Sequence, residues 1–148
     1  MYAQMLIATD GSDLATRALE HGLQLAKLAG SAVTIVTVTD PTSVYIGAYG
    51  GMGMAYDPLP EVIQAQTDGA KELLKAAEAK AVAAGVAAKS VLVENAFPAE
   101  GIISTAESIG ADVIVMGSHG RRALGRMLLG SQTNEVLAHS KTPVLVTR

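Results

Sequence analysis

The stretch DVIVMGSHGRRALGRMLLGS, residues 112–131, decides how the chain is interpreted. Its first six residues are almost continuously apolar, which is typical of a parallel strand covered on both faces. Residues 117–131 contain four glycines, three arginines and no acidic residue, and a helical pattern begins at their end. A strand, a glycine-rich basic turn and a helix start, in this order, predict a turn that binds an anion.

The rest of the chain repeats the alternation of strand and helix. Segments of helical periodicity separate five apolar runs, at residues 4–9, 32–38, 89–95, 112–117 and 143–148. The first helix is predicted to begin after an N-cap at Ser12 and to stop at Gly30. The second carries an apolar pattern over 70–84, the third begins near Pro98, and the fourth covers 131–139. The order βαβαβαβαβ predicts a single-domain α/β fold, residues 1–148, with an open parallel sheet and helices on both faces.

Composition narrows the classes of function. The chain has no cysteine, which excludes disulfides and thiolate metal sites, and no apolar stretch approaches the ~20 residues of a membrane span. With no secretory signal visible, we expect a soluble cytoplasmic protein without a membrane partner. Its 11 basic and 14 acidic residues argue against nucleic acid as a partner. Because three of the basic residues lie within 117–131, the positive charge is local and suits a small anion.

One connection is too long for an ordinary turn. Residues 40–60, DPTSVYIGAYGGMGMAYDPLP, separate the second strand from the second helix. Loops beyond ~12–15 residues are usually functional or disordered. The segment is therefore either a lid over a site or a disordered excursion.

An open parallel sheet binds its ligand beyond the carboxyl ends of its strands, where the strand order reverses. If strands 1 and 4 are neighbours, Asp10 faces Gly117 across that crevice. Gly117 and Gly120 would allow close backbone approach and dihedrals that only glycine adopts cheaply, while Gly130 and Ser131 would present free N–H groups of a helix N-terminus. Each glycine could instead serve an ordinary turn, and Ser131 could be an ordinary N-cap.

Several other sites are excluded by what the motifs lack. GRMLLGS, residues 125–131, has no lysine before its serine, so it is not a P-loop, and TDGSD after the first strand has one glycine where a dinucleotide fingerprint needs three. MGSHG has Met116 in place of the first glycine of a nucleophile elbow, so a hydrolytic triad is not expected. Asp10 and Asp13 could meet a magnesium ion carried by phosphates, although Asp13 is better explained as a charge on the first turn of a helix.

The chain resembles the universal stress protein family over essentially its whole length. The resemblance rests on ATDGS after the first strand (8–12), on the signature Gly-x2-Gly-x9-Gly-Ser met by Gly117, Gly120, Gly130 and Ser131, and on the closing SQTNEVLAHSKTPVLVTR (131–148). It implies an adenine nucleotide alpha hydrolase-like sheet ordered 3-2-1-4-5, with an ATP site at the switch point. The expected cofactors are ATP and the Mg²⁺ that its phosphates would carry.

The resemblance also implies roles for individual residues. Asp10 would contact ribose or phosphates, the Val38 backbone would read the adenine edge, and the signature residues with the amide of Gln132 would hold ribose and phosphates. Arg121 is expected near phosphate, while Arg122 and Arg126 either contribute or are simply solvated. The predicted site also includes the neighbours of these positions, Ala8, Thr9, Met116, Ser118, His119 and Thr133.

Three functions are compatible with these observations. We expect a nucleotide-dependent regulatory module that binds ATP, because the glycine-rich stretch offers cations but no evident general base. The alternatives are a slow ATPase or phosphotransferase at the same site, and a protein that acts by dimerisation alone. A homodimer through the edge strand 143–148 would cover its apolar edge, and the family's usual dimer agrees. The sequence does not distinguish ATP from AMP or a cyclic nucleotide, and it names no protein partner.

Overall fold

The computed structural model describes residues 2–40, 60–120 and 129–148. Across these ranges five strands alternate with four helices. The elements are β1 (Gln4–Ala8), α1 (Asp13–Ala29), β2 (Ala32–Val38), α2 (Pro60–Ala84), β3 (Ala88–Val93), α3 (Pro98–Ile109), β4 (Val113–Gly117), α4 (Ser131–His139) and β5 (Val144–Thr147). The predicted α/β alternation is confirmed, and α2 begins ten residues before the apolar pattern that predicted it. Most of the 40–60 segment, about which the sequence left a lid and disorder open, lies outside the described residues.

The sheet has the order β3-β2-β1-β4-β5, with all four pairs of strands parallel. This confirms the predicted order and the predicted contact between β1 and β4. Strand β1 pairs with β2 on one side, where Ala8 lies opposite Val36, and with β4 on the other, where Ile7 lies opposite Val115. The chain therefore winds in opposite directions from β1, and a crevice opens beyond the carboxyl ends of β1 and β4.

Each face of the sheet has its own apolar core. Side chains alternate across a strand, so Met5 and Ile7 pack with α1 and α2 on one face, whereas Leu6 and Ala8 pack with α3 and α4 on the other. Met5, Leu6 and Ile7 are all completely buried. Burial on both faces explains why the central strands β1 and β4 are continuously apolar rather than alternating.

The helix boundaries come from local chemistry that the sequence displays. The Ser12 side chain accepts a hydrogen bond from the Ala15 N–H at 3.2 Å, which confirms the predicted N-cap of α1. Gly30 ends the same helix in the left-handed conformation, with φ of 70°. Because these signals place the start of α1 directly after β1, the first turn of α1 lies at the carboxyl edge of the sheet.

Two further features of the surface bear on the predictions. Within the described ranges, none of the helices combines the length and the apolar character that crossing a lipid bilayer requires. Strand β5 lies at one edge of the sheet, and its Leu145 side chain is 39% exposed. The homodimer expected through this edge stays a prediction.

Candidate functional site

A cavity of about 700 Å³ lies at the carboxyl edge of the sheet. The predicted site residues line it, apart from Ser118, which is buried behind it, and Arg121, which lies outside the described residues together with Arg122 and Arg126. The predicted residues that line it are Ala8, Thr9, Asp10, Val38, Met116, Gly117, His119, Gly120, Gly130, Ser131, Gln132 and Thr133. The fold thus brings together segments from four separate parts of the chain.

The turn after β1 fixes the carboxylate of Asp10. Thr9 N–H still donates to Val36 O at 2.9 Å, as the last bond between β1 and β2. The chain then turns at Gly11, whose φ is 79°, and Asp10 Oδ1 accepts a hydrogen bond from Ser12 N–H at 2.9 Å. This side-chain turn holds one carboxylate oxygen against the backbone, so the orientation of Asp10 is set before any ligand is present.

The two segments expected to meet across the crevice do meet. The Asp10 carboxylate lies over Gly120, where an added Cβ would come within 2.7 Å of Oδ2. Gly117 lies instead against the first turn of α1, where an added Cβ would come within 3.0 Å of the Leu14 carbonyl carbon. Both glycines therefore allow close approach, one to a side chain and one to a helix backbone.

The expected reason for these glycines was wrong in one respect. We expected dihedrals that only glycine adopts cheaply, but Gly117, Gly120 and Gly130 do not have positive φ. In the described ranges the positive-φ glycines are Gly11, Gly30, Gly85 and Gly110. The glycines of the signature are required by crowding rather than by backbone conformation.

The start of α4 presents backbone amides to the cavity. Gly130 is the N-cap and Ser131 the first helical residue, so Ser131 is not the N-cap that the sequence left open. Asn134 N–H is the first to bond back into the helix, to Gly130 O at 3.0 Å. The amides of Ser131, Gln132 and Thr133 precede it and have no carbonyl to reach within the helix.

Gly130 itself does not offer a free amide. Its N–H donates to Ser118 O at 2.7 Å, so the expectation that Gly130 presents an N–H group to a ligand was wrong. An added Cβ on Gly130 would lie 3.2 Å from His119 Cα. Gly130 therefore holds the start of α4 against the end of β4. The N–H groups available to a ligand are those of the next three residues.

The side chains around α4 position that helix. Thr133 is buried, and its hydroxyl donates to Gly117 O at 3.0 Å and to Ser118 O at 3.2 Å. Gln132 Oε1 accepts from Ala99 N–H at 3.0 Å, near the start of α3, which has no side-chain cap of its own. Both side chains serve the architecture, which leaves their amides as the groups that face the cavity.

Val38 contributes backbone groups at the end of β2. Val36 O accepts from Thr9 on the β1 side, whereas Thr39 N–H donates to Val93 O on the β3 side. Backbone groups alternate sides along a strand, so the N–H and C=O of Val38 face the β1 side, and β1 has already ended at Ala8. These two groups therefore open toward the cavity.

His119 and Ser118 follow β4. His119 lines the cavity, and its Nδ1 lies 3.2 Å from the Ser118 hydroxyl oxygen. Ser118 N–H donates to Thr147 O at 2.8 Å, which extends the pairing of β4 with β5. Ser118 thus supports His119 from behind rather than facing a ligand.

Sequence reasoning missed one wall of the cavity. Helix α2 contributes Ala65, Gln66, Gly69, Ala70 and Leu73. The wall is largely apolar, but Gln66 Nε2 donates to the main-chain oxygen of Asp40 at 3.3 Å and so ties α2 to the end of β2. The helical pattern predicted from the sequence begins at residue 70, so most of this wall precedes it.

The remaining missed residues come from the ends of β2 and from α3. They are Val36, Thr37, Thr39, Asp40, Pro98 and Ile102, with Ala15 from α1. Gly101 of α3 does not line the cavity but positions Val38, because an added Cβ would lie 2.8 Å from Val38 Cγ2. Nothing in the local pattern around Gly101 predicted that contact.

The family model described as the universal stress protein family matches residues 1–148. The chain belongs to the universal stress protein family. Among its relatives, the universal stress protein YxiE of Bacillus subtilis (strain 168) is 33% identical over 151 residues, which cover 100% of both chains. The solved structure of MJ0577, a universal stress protein of Methanocaldococcus jannaschii, superposes with a TM-score of 0.83 at 31% identity, covering 99% of this chain and 96% of that one.

A further solved relative was crystallised with a nucleotide. It is a universal stress protein in complex with cAMP, 27% identical, with a TM-score of 0.68 over 99% of this chain and 97% of that one. A relative with this fold therefore binds cAMP. This universal stress protein also retains all four residues of the signature. Gly117 and Gly120 lie at and after the end of β4, and Gly130 and Ser131 lie at the start of α4.

The described part of the site has no set of side chains that could bind a metal ion by themselves. Among the described residues no group of three or more histidine, aspartate or glutamate side chains could hold a metal ion. Asp13 is exposed in the first turn of α1 and does not line the cavity, as expected of a charge that favours a helix start. Of the two aspartates predicted to contact magnesium, Asp10 is therefore the one that lines the cavity.

Proposed function

We propose that this chain is an ATP-binding universal stress protein that acts as a cytoplasmic, nucleotide-dependent regulatory module in stress response. The observation that carries the proposal is the convergence of two sets of backbone groups on one cavity. The amides of Ser131, Gln132 and Thr133 lie at one end, and the N–H and C=O of Val38 lie at the other. The volume of about 700 Å³ is within the roughly 300–1,000 Å³ range of small-molecule sites.

The start of α4 suits the phosphates. Its three amides point outward from the positive end of the helix dipole, and both effects favour an anion. Thr133 and Gln132 hold this helix by side-chain hydrogen bonds to β4 and α3, so the donors are already in place before binding. Preorganised donors bind a charged ligand without a further ordering cost.

The end of β2 suits the base. Adenine presents a donor at its 6-amino group next to an acceptor at N1, which matches the C=O and N–H that Val38 leaves open. Asp10 lies between the two ends of the cavity and would accept hydrogen bonds from ribose hydroxyls. The relative solved with cAMP supports adenine nucleotide binding on this fold.

Magnesium fits this site as a companion of the phosphates. Mg²⁺ prefers to be bound by one or two carboxylates together with phosphate oxygens, and it neutralises part of their charge. Asp10 is the side chain that would face it.

The proposal is tested on freshly purified protein. Mass spectrometry of the nucleotide released on denaturation identifies the natural ligand, and calorimetry with ATP, AMP, cAMP and GTP measures selectivity. We expect adenine nucleotides to bind and GTP to bind at least ~10-fold more weakly, because guanine reverses the donor and acceptor at this edge. No detectable binding of any adenine nucleotide at millimolar concentration would overturn the proposal.

The slow ATPase is separated from the binding module by single-turnover hydrolysis. The binding module predicts no phosphate release beyond that of buffer. Release by the unmodified protein that Asp10→Asn abolishes would replace the binding account with an enzymatic one. Asp10→Asn keeps a side-chain oxygen that can accept the Ser12 N–H bond, so its turn is retained.

We also propose that the chain dimerises through residues 143–148. Strand β5 ends the sheet and leaves one side of its backbone and the partly exposed Leu145 at the edge. Pairing with a second β5 would cover both. Sedimentation at micromolar concentration should give a dimer mass that Leu145→Lys reduces, and a monomer mass for the unmodified protein would contradict the proposal.

A further inference from the structure

Three glycines lie inside the described helices, and two of them have a packing reason. An added Cβ on Gly22 of α1 would lie 2.6 Å from Ile7 Cδ1, and one on Gly101 of α3 would lie 2.8 Å from Val38 Cγ2. An added Cβ on Gly69 of α2 would meet nothing within 4 Å. Glycine inside a helix is less stable than alanine, so the fold of the described residues gives no reason for glycine at position 69.

Gly69 is exposed and lines the cavity together with Ala65 and Ala70 of α2. Ala65 and Gly69 are four residues apart and share one face of the helix, so a side chain at position 69 would project on the cavity side. The core contacts of α2 begin further along, at Leu74, so this part of the helix rises past the end of the sheet. Pro98 and Ile102 of α3 line the cavity from the opposite face.

The backbone groups of Val38 determine how a base would lie in this space. Hydrogen bonds between strands lie roughly in the plane of the sheet. A base that pairs edge-on with the Val38 N–H and C=O therefore continues that plane, and its two faces look toward the two helical layers. One face meets α2 at Gly69 and its neighbours, and the other meets α3.

We propose that Gly69 determines the size of the base subsite and so selects a purine nucleotide. The missing side chain leaves room for a flat, two-ring base between α2 and α3, at the expense of helix stability. The inference rests on the proposed adenine nucleotide site and assigns its base specificity to a helix outside the glycine signature.

The test compares Gly69→Leu and Gly69→Ala with Ala76→Leu. Ala76 is exposed on the same helix two turns further along and does not line the cavity. Calorimetry with ATP, CTP and inorganic tripolyphosphate separates the base from the phosphates. Gly69→Leu should weaken ATP binding at least ~10-fold, which is the usual cost of overpacking. The affinity for CTP should fall less, and the affinity for tripolyphosphate should not change. Ala76→Leu should bind all three as the unmodified protein does.

Gly69→Ala adds a second readout that does not depend on tolerance of a large side chain. Its added methyl group meets no atom of the described residues within 4 Å, so Tm without ligand should rise by about 2–4 °C. The ratio of its affinities for ATP and tripolyphosphate should fall, though less than in Gly69→Leu.

Two results would overturn this inference alone. One is a folded Gly69→Leu protein, or a Gly69→Ala protein, whose ATP affinity equals that of the unmodified protein. The other is an equal loss of ATP and tripolyphosphate binding, since the effect would then not concern the base. Failure of the unmodified protein to bind ATP would instead overturn the proposed function, and this inference with it.

Discussion

Replacing Ser131 with proline removes one of the amides proposed to bind phosphate while leaving the helix intact. Ser131 is the first helical residue of α4, a position where the N–H has no partner in the helix and where proline is favoured. Gly130 before it is extended, with φ of −70° and ψ of 157°, and this conformation suits a residue that precedes proline. The substitution should therefore weaken ligand binding without disturbing the backbone.

The expected loss follows from the chemistry of the missing bond. A hydrogen bond to a charged group contributes about 1.5–3 kcal/mol, which corresponds to roughly a 10- to 150-fold loss of affinity. Stability should not fall, because Ser131 is exposed and occupies the first helical position, where proline is tolerated. Tm without ligand should be unchanged or slightly higher, since proline restricts the unfolded chain.

The matched control is Ser131→Ala, which removes the hydroxyl group and keeps the amide. Calorimetry with ATP should show the large loss for Ser131→Pro and a smaller one for Ser131→Ala, and thermal melts without nucleotide should show both proteins folded. Equal ATP affinity for the two folded variants would refute the assignment of phosphate binding to the first amide of α4.

Three further predictions concern the support of the site and the surface. Gly117→Ala should lower the free energy of unfolding by about 1–3 kcal/mol in urea, because the new Cβ would approach the α1 backbone within 3.0 Å; an unchanged midpoint would contradict this. Thr133→Val should cost about 1–2 kcal/mol, because the hydroxyl bonds at 3.0 and 3.2 Å to carbonyls at the end of β4 are lost, and Thr133→Ser should retain most of the stability. A hydrogen bond from Lys80 at 2.9 Å and the charge of that lysine lower the pKa of Glu20. A lowered pKa in the folded state means that this contribution is present above the ordinary carboxyl pKa and is lost as pH falls through the folded value. An NMR titration should show the lowered pKa, and Lys80→Met should return it toward the ordinary value.

Much of the fold could be predicted because its signals are local. Ser12 and Gly30 mark the ends of α1 through hydrogen bonds and a dihedral that involve only nearby residues. The continuously apolar strands indicated burial on both faces, and the alternation of strands with helices indicated a parallel sheet. The start of α2 was missed, since the residues from Pro60 to Gly69 lie beyond the sheet and show no apolar stripe that would mark a helix.

The site was predicted in outline because every loop that follows a parallel strand reaches the same edge of the sheet. Asp10 and Gly117 were expected to share a crevice for that reason, and both line it, although the glycine under the Asp10 carboxylate is Gly120. The strand order came from the family resemblance, since alternation alone does not say whether β4 adds beside β1 or at an edge.

By itself, the sequence determined which residues are strands, where most helices begin and end, and which loops carry the glycines and the positive charge. Only the tertiary structure decided what those residues touch: that Gly117 packs on α1, that Gly130 uses its amide internally, and that Gly69 meets no other part of the described chain. The physical reason is the range of the interactions. Caps and dihedrals are set within a few residues, whereas close contacts join atoms that are far apart in the chain and come together only when the sheet and its helices assemble.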